Sequence, residues 1–179
     1  MNRLGLSKSG QVLACKKDSD IVHLYKQADS IFLFTQEISF SQNVVTLKFS
    51  LDDQHLFIGL HGGGLIIFMD NGQEYALFQT INDASDQLSS IAMSKDCKLL
   101  ISGSYDFKIR IYVDDNGQFV LNQTFTTTYR IHKVALSQNQ LVYSGDSSEI
   151  IFLNHNGSSF ELNFILETDY ASISNFDST

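Results

Sequence analysis

The sequence predicts an all-β chain of β-propeller blades, each made of four antiparallel strands, with about four blades and the start of a fifth. Three observations predict it. A serine closes an apolar run at Ser7, Ser50, Ser94 and Ser137, at spacings of 43, 44 and 43 residues. A small residue follows a strand at Cys15, Gly59, Gly103 and Gly145. An Asn-Gly pair recurs at Asn71-Gly72, Asn116-Gly117 and Asn156-Gly157. Three markers keeping one order and a period of roughly 40–45 residues, in a chain of short strands, mark a propeller blade.

The third repeat shows the plan most clearly. Leu88 to Ser94 (LSSIAMS) alternates as a half-buried strand should. Lys95 to Lys98 is a polar turn. Leu99 to Ser104 (LLISGS) is a short apolar strand ending in small residues that admit a neighbouring backbone. Tyr105-Asp106-Phe107 turns the chain, and Lys108 to Val113 (KIRIYV) alternates again. Asp114 to Gly117 forms a hairpin turn in which Asn-Gly supplies the two positive φ angles of a type I′ turn. Gln118 to Phe125 is the outer strand. Four such strands make one blade.

The other repeats follow suit. The first runs Leu4–Ser7, Gln11–Cys15, Asp20–Tyr25 and Ser30–Gln36, with Gln27-Ala28-Asp29 as its last turn. The second runs Val44–Ser50, Leu56–Leu60, Leu65–Met69 and Tyr75–Ile81. The fourth runs Ile131–Ser137, Gln140–Gly145, Glu149–Leu153 and Ser159–Leu166. The expected blades are therefore residues 1–37, 38–81, 82–125 and 126–167. Residues 168–179 start a further blade or form a tail, with Tyr170–Ser174 as a first strand. On this reading the chain is part of a larger ring, or an arc completed by a partner, rather than a closed ring of four.

Composition bounds the function. At 43% hydrophobic residues the chain is apolar enough to fold. No apolar run approaches the roughly 18 residues that a spanning helix needs, and the first residues lack the apolar core of a signal peptide. The net charge is −8, spread over the repeats, so a phosphate backbone or an anionic bilayer is repelled. Cys15 and Cys97 form no CxxC pair and read as reduced thiols. These features point to an intracellular, cytoplasmic protein, the nucleus staying open, with no nucleic-acid or membrane partner. The sequons at Asn122 and Asn156 read as ordinary turn or strand residues without a secretory signal.

Met93 to Val113 (MSKDCKLLISGSYDFKIRIYV) resembles the heart of a WD40 repeat. Ser94 stands at the family's turn serine, Ser102-Gly103-Ser104 at its Ser-Gly-Ser, and Asp106 at the aspartate that holds the turn. Tyr112 takes the tryptophan position, as do Tyr25, Phe68 and Phe152 in the weaker repeats. The chain has no Trp and no Gly-His pair opens a repeat; this departure from the family's pattern predicts blades that are less rigid, or rigid by aromatic packing alone. The resemblance implies a non-catalytic scaffold that binds other proteins. Its binding face would carry the turns between second and third strands and the loops entering each first strand. In this sequence that selects Tyr105, Phe107, Tyr129, Arg130 and His61, since exposed aromatics and arginine carry most binding energy. Asp106, Ser94 and Gly103 are expected as turn-holders.

Two other readings compete. In one, the chain is a structural subunit whose open edge takes a partner's strand. In the other it is a propeller hydrolase. His61-Gly62-Gly63-Gly64 looks like the segment that supplies oxyanion-hole amides in lipases, but no G-x-S-x-G elbow accompanies it. The Asp-Asn-Gly turns lack a carboxylate at the first position of a calcium loop. The five histidines have no metal-ligand spacing. No catalytic residue, cofactor or metal is expected.

Overall fold

The computed structural model describes residues 3–137 and 139–168. The fifth-blade strand expected at Tyr170–Ser174, and the segment 168–179 apart from Thr168, lie outside them. Among the described residues there is no helix, and sixteen strands form four sheets. The first sheet holds β1 (Leu4–Leu6), β2 (Val12–Lys16), β3 (Ile21–Ala28) and β4 (Ile31–Ser39). The second holds β5 (Val44–Phe49), β6 (His55–Leu60), β7 (Leu65–Asp70) and β8 (Tyr75–Ile81). The third holds β9 (Leu88–Met93), β10 (Leu99–Ser104), β11 (Lys108–Asp115) and β12 (Gln118–Thr126). The fourth holds β13 (Ile131–Leu136), β14 (Gln140–Gly145), β15 (Glu149–His155) and β16 (Phe160–Glu167). Within every sheet the strands pair in sequence order and antiparallel. The chain divides into two compact units, Met1–Leu88 and Ser89–Thr179.

The repeated serine is a turn-closing device. Ser94 N–H donates to Leu99 O (2.9 Å), and its hydroxyl oxygen accepts the Leu99 N–H (2.9 Å) while donating to Asp96 Oδ1 (2.5 Å). Ser50 repeats this with His55 and Asp52, and Ser7 bonds Val12 in both directions. In each case the third residue after the serine has a positive φ: Gly10 at 77°, Asp53 at 60° and Cys97 at 58°. Ser137 departs from the pattern. Its N–H reaches Gln140 O, a turn two residues shorter, and the side chain is exposed.

The Asn-Gly pairs are not equivalent either. Asn116 (φ 54°) and Gly117 (φ 88°) form the two-residue I′ turn between Asp115 and Gln118. Asp114 and Asp115, expected in the turn, are therefore strand residues. At Asn71 and Asn156 the loops have four residues, and the Asn side-chain oxygen accepts two backbone N–H groups further along. In the first blade β3 runs on to Ala28, so Gln27 and Ala28 leave the expected turn to Asp29-Ser30, where Asp29 has φ 54°.

In the first unit, Ala14, Val22 and Leu24 of one blade and Leu56, Ile58 and Tyr75 of the next share one core. In the second unit, Ile101, Ile109 and Ile111 meet Ile131, Leu141 and Phe160. Full burial of each Val, Leu, Ile or Phe side chain among them contributes about 1.5–3 kcal/mol. Gly103 is needed at this seam: a Cβ there would stand 2.6 Å from Ile131 Cγ2 and 3.0 Å from Val134 Cγ1. Beside it the Ser89 hydroxyl lies within reach of the carbonyls of Gly103 and Ile131, and Ser90 Oγ accepts the Val134 N–H.

A second seam device joins outer strands. Each outer strand carries a bulge against its neighbour, at Thr35, Phe78, Asn122 and Asn163. In the first unit the residue after the bulge, Gln36, donates from Nε2 to Tyr75 O (2.9 Å) and accepts the Tyr75 N–H at Oε1 (3.0 Å). In the second unit Gln123 makes the same pair with Phe160, at 3.0 and 2.9 Å. A primary amide matches one donor and one acceptor of a strand edge at once, so each clasp satisfies two backbone groups.

Candidate functional site

The turn between β10 and β11 is built from the inside out. Ser104 Oγ accepts the Asp106 N–H (3.1 Å), and Asp106 Oδ1 accepts the Lys108 N–H (3.2 Å). Arg110, four residues on, donates from Nη1 (3.2 Å) and Nη2 (2.6 Å) to the two Asp106 oxygens. Both side chains are 4% exposed. A carboxylate this buried needs its charge met, and the guanidinium fork meets it with two directed bonds. Arg110 had no assigned role in the sequence. The alternation hid it: Arg110 lies opposite Ile109 and Ile111, on the face that pattern reads as solvent, and only the fold buries both faces of β11.

Beside the inward Asp106, Phe107 stands exposed and Tyr105 is half-buried. Phe107 has φ 65° and is 45% exposed. A left-handed backbone costs a bulky residue about 1–2 kcal/mol. Its carbonyl is held by the Thr127 N–H at 2.8 Å, which ties this turn to the loop entering β13. Tyr105, on the other side, donates or accepts at His132 Nδ1 (3.1 Å), and His132 Nε2 meets Asp146 Oδ1 (2.5 Å). A carboxylate only accepts, so His132 Nε2 is the donor to Asp146. The Arg130 guanidinium carbon lies 5.5 Å from the centre of the Tyr105 ring, within cation–π range. Arg130 itself is exposed.

The structure thus brings Tyr105, Phe107 and Arg130 together on one face of the second unit. It adds His132 and Asp146, which lie too far apart in sequence to signal each other. Tyr129 is half-buried and packs against the core of the second unit. Burial, with Tyr143 and Glu149 nearby, pushes its hydroxyl up to about 12. Its ring packs where a Cβ on Gly145 would sit, with Cδ2 2.6 Å away. His61 belongs to the first unit and is exposed on the turn between β6 and β7.

That turn also answers the oxyanion-hole reading. The Gly62 N–H is donated to Gln42 Oε1 (2.8 Å) and the Gly63 N–H to Leu60 O (3.1 Å). Two amides needed for an oxyanion are committed to the turn itself. The aspartates of the Asp-Asn-Gly turns are likewise engaged, Asp70 by the Gly72 N–H and Asp114 by the Gly117 N–H. Among the described residues no three His, Cys, Asp or Glu side chains converge on a metal-sized site.

No protein-family model matches the chain, and no curated protein matches it. Solved structures do, 1295 chains in all, so the architecture is too widely shared to select a function. One is a chain in the crystal structure of the Mitotic Checkpoint Complex, with a TM-score of 0.78 at 18% identity. The match covers 97% of this chain and 53% of that one, so this chain spans about half the length of the solved chain. The likeness and the four sequential antiparallel sheets establish the fold as a series of β-propeller blades.

Proposed function

We propose that the chain is a non-catalytic, WD40-like interaction module whose working surface in the second unit is formed by Tyr105, Phe107, Arg130, His132 and Asp146. The observation that carries this reading is Phe107. An aromatic side chain is held out in solvent on a left-handed backbone, beside a buried ion pair that fixes the turn. Strain kept at an exposed aromatic points to a contact made by that aromatic. Arg130 over Tyr105 adds a second anchor of the type enriched in protein interfaces. Tyr129, half-buried against the core, is the neighbouring aromatic of this loop. His61 is the corresponding exposed residue of the first unit.

The partner is a protein. A solved chain of the same fold is part of a complex, as its title states, and the net charge of −8 disfavours nucleic acid and anionic lipid. With two cysteines that form no CxxC pair, we place the protein in a reducing compartment, the cytoplasm, the nucleus staying open.

The test is capture from cell extract on the immobilised chain, read by quantitative mass spectrometry. Proteins held by the wild type should fall away from a Tyr105→Ala/Arg130→Ala variant and stay on a Glu74→Ala control. Identical captures by all three would remove this face as the binding surface.

A further inference from the structure

Arg130 presents an exposed guanidinium on a rigid base, with nothing to match it. The loop that carries it is pinned at both ends. The Thr127 N–H donates to Phe107 O (2.8 Å), and Arg130 O accepts the Asp146 N–H (3.1 Å) just before Ile131 enters the core. The guanidinium carbon stands 5.5 Å from the centre of the Tyr105 ring, whose hydroxyl is bonded in turn to His132. Among the described residues the Arg130 side chain makes no ion pair and no hydrogen bond. The fork of Arg110, by contrast, is filled by Asp106. Asp146 does not fill that of Arg130. The two residues continue the register beyond the Ile131–Gly145 pair of β13 and β14, which sets them opposite one another. The Asp146 carboxylate is bonded to His132 instead. Five N–H donors in a planar fork are thus left without an acceptor, on the face that also exposes Phe107.

We infer that Arg130 takes a carboxylate of the partner, so that this face reads an aspartate or glutamate with an apolar side chain close to it in sequence. The inference rests on the interaction-surface reading above and names the chemistry of its partner. A guanidinium fork matches the two carboxylate oxygens with parallel bonds. Contact with the Tyr105 ring already restricts the arginine, which lowers the ordering cost of binding. Phe107 takes the apolar neighbour. Charge decides between kinds of anion. The cost of stripping water from an anion rises with the square of its charge, whereas its attraction to one guanidinium rises only in proportion. Asp146, its side chain 47% exposed, opposes the anion as well. The site therefore suits a carboxylate better than a phosphate dianion. The net charge of −8 weighs on a polyanion, but a single carboxylate at contact distance responds chiefly to charges within a Debye length, about 8 Å.

The test passes end-capped heptapeptide pools over the immobilised full chain and reads retention by mass spectrometry. The central residue is Glu, Gln or phosphoserine, and the flanking positions are mixed residues without Asp, Glu or Cys. Wild type should hold the Glu pool roughly tenfold better than the Gln pool, and better than the phosphoserine pool, with apolar residues enriched beside the Glu. Arg130→Gln should bring the Glu pool down to the Gln level. Arg130→Lys keeps the charge but loses the fork, so it should fall between. Equal retention of the Glu and Gln pools by wild type, including none of either, would overturn the inference. So would a phosphoserine pool held best, or a Glu preference that survives Arg130→Gln. Capture from cell extract separates this failure from failure of the underlying reading. Proteins lost from Phe107→Ala but kept by Arg130→Gln would leave the interaction surface standing and remove the carboxylate. Proteins kept by both would remove the surface itself. Both positions are exposed, so neither change opens the core.

Discussion

Arg110 and Asp106 close a buried, two-pronged ion pair, 3.2 and 2.6 Å between nitrogens and oxygens, inside the turn that presents Tyr105 and Phe107. The pair anchors the turn that leaves Phe107 exposed and Tyr105 half-buried against His132. It also sets a stability prediction. Asp106→Ala leaves a buried guanidinium uncompensated and should cost about 3–5 kcal/mol. The double change Asp106→Leu/Arg110→Met should cost clearly less than the sum of the single changes. Urea denaturation followed by tyrosine fluorescence measures both, and additive losses would mean that the two charges do not act as a pair.

The blade plan was legible because its signals are local. Alternating runs, Asn116-Gly117 and the serines at 7, 50 and 94 are each written within ten residues of what they form. Strand ends were less legible, since pairing across a hairpin decides whether Asp114 or Ala28 belongs to strand or turn. The face around Tyr105 was placed in outline from a resemblance. Its chemistry was not, because Tyr105 meets His132, and His132 meets Asp146, only through the folded register of β10, β13 and β14. The glutamine period was present in the sequence at 36, 79 and 123. It carried no meaning until the fold set Gln36 against Tyr75 and Gln123 against Phe160.

The clasp should be worth a measurable amount. Gln123→Ala leaves the Phe160 N–H and C=O without their partner, at a cost of about 1–3 kcal/mol. Gln123→Glu at neutral pH keeps the acceptor and loses the donor, so it should fall between. Thermal denaturation ranks the three proteins. A ranking with both variants equal to wild type would show that water replaces the amide without loss.

Glycine substitutions separate crowding from backbone strain. Gly103→Ala sets a methyl against Ile131 and Val134 and should destabilise by about 1–3 kcal/mol. Gly145→Ala meets the Arg130 carbonyl, which belongs to backbone and yields less, so it should cost more. Gly157→Ala faces open space and loses only what its φ of 103° imposes. Chemical denaturation of the three should give the order 145, 103, 157, and a reversed order would contradict the packing.

Titration supplies a pH prediction at each end. The Ser94 hydroxyl, helped by the Lys98 N–H, holds the Asp96 carboxyl below its ordinary value. For Asp52, burial raises the value, but the bonds from Ser50 and Gln54 outweigh it and the net shift is downward. Both carboxylates therefore stabilise the fold above about pH 4, and that contribution is lost as pH falls through their lowered folded-state values. Carbon-13 NMR should show Asp96 moving up in Ser94→Ala. At the alkaline end burial raises Tyr129 to about 12, so the stability from its neutral form is complete below about pH 10 and lost between there and 12. Tyr129→Phe should flatten the decline over that window in denaturation curves, and an unchanged slope would place the buried hydroxyl elsewhere.

The most direct measurement of the interaction-surface claim is photo-crosslinking in cells. A benzophenone amino acid replaces Phe107 in one protein and Leu77, an exposed residue of β8 in the first unit, in another. The account predicts a discrete higher-mass adduct from position 107 that disappears when Tyr105→Ala and Arg130→Ala are added, with none from position 77. The same pattern of adducts from both positions, or an adduct from 107 indifferent to Tyr105 and Arg130, would contradict it.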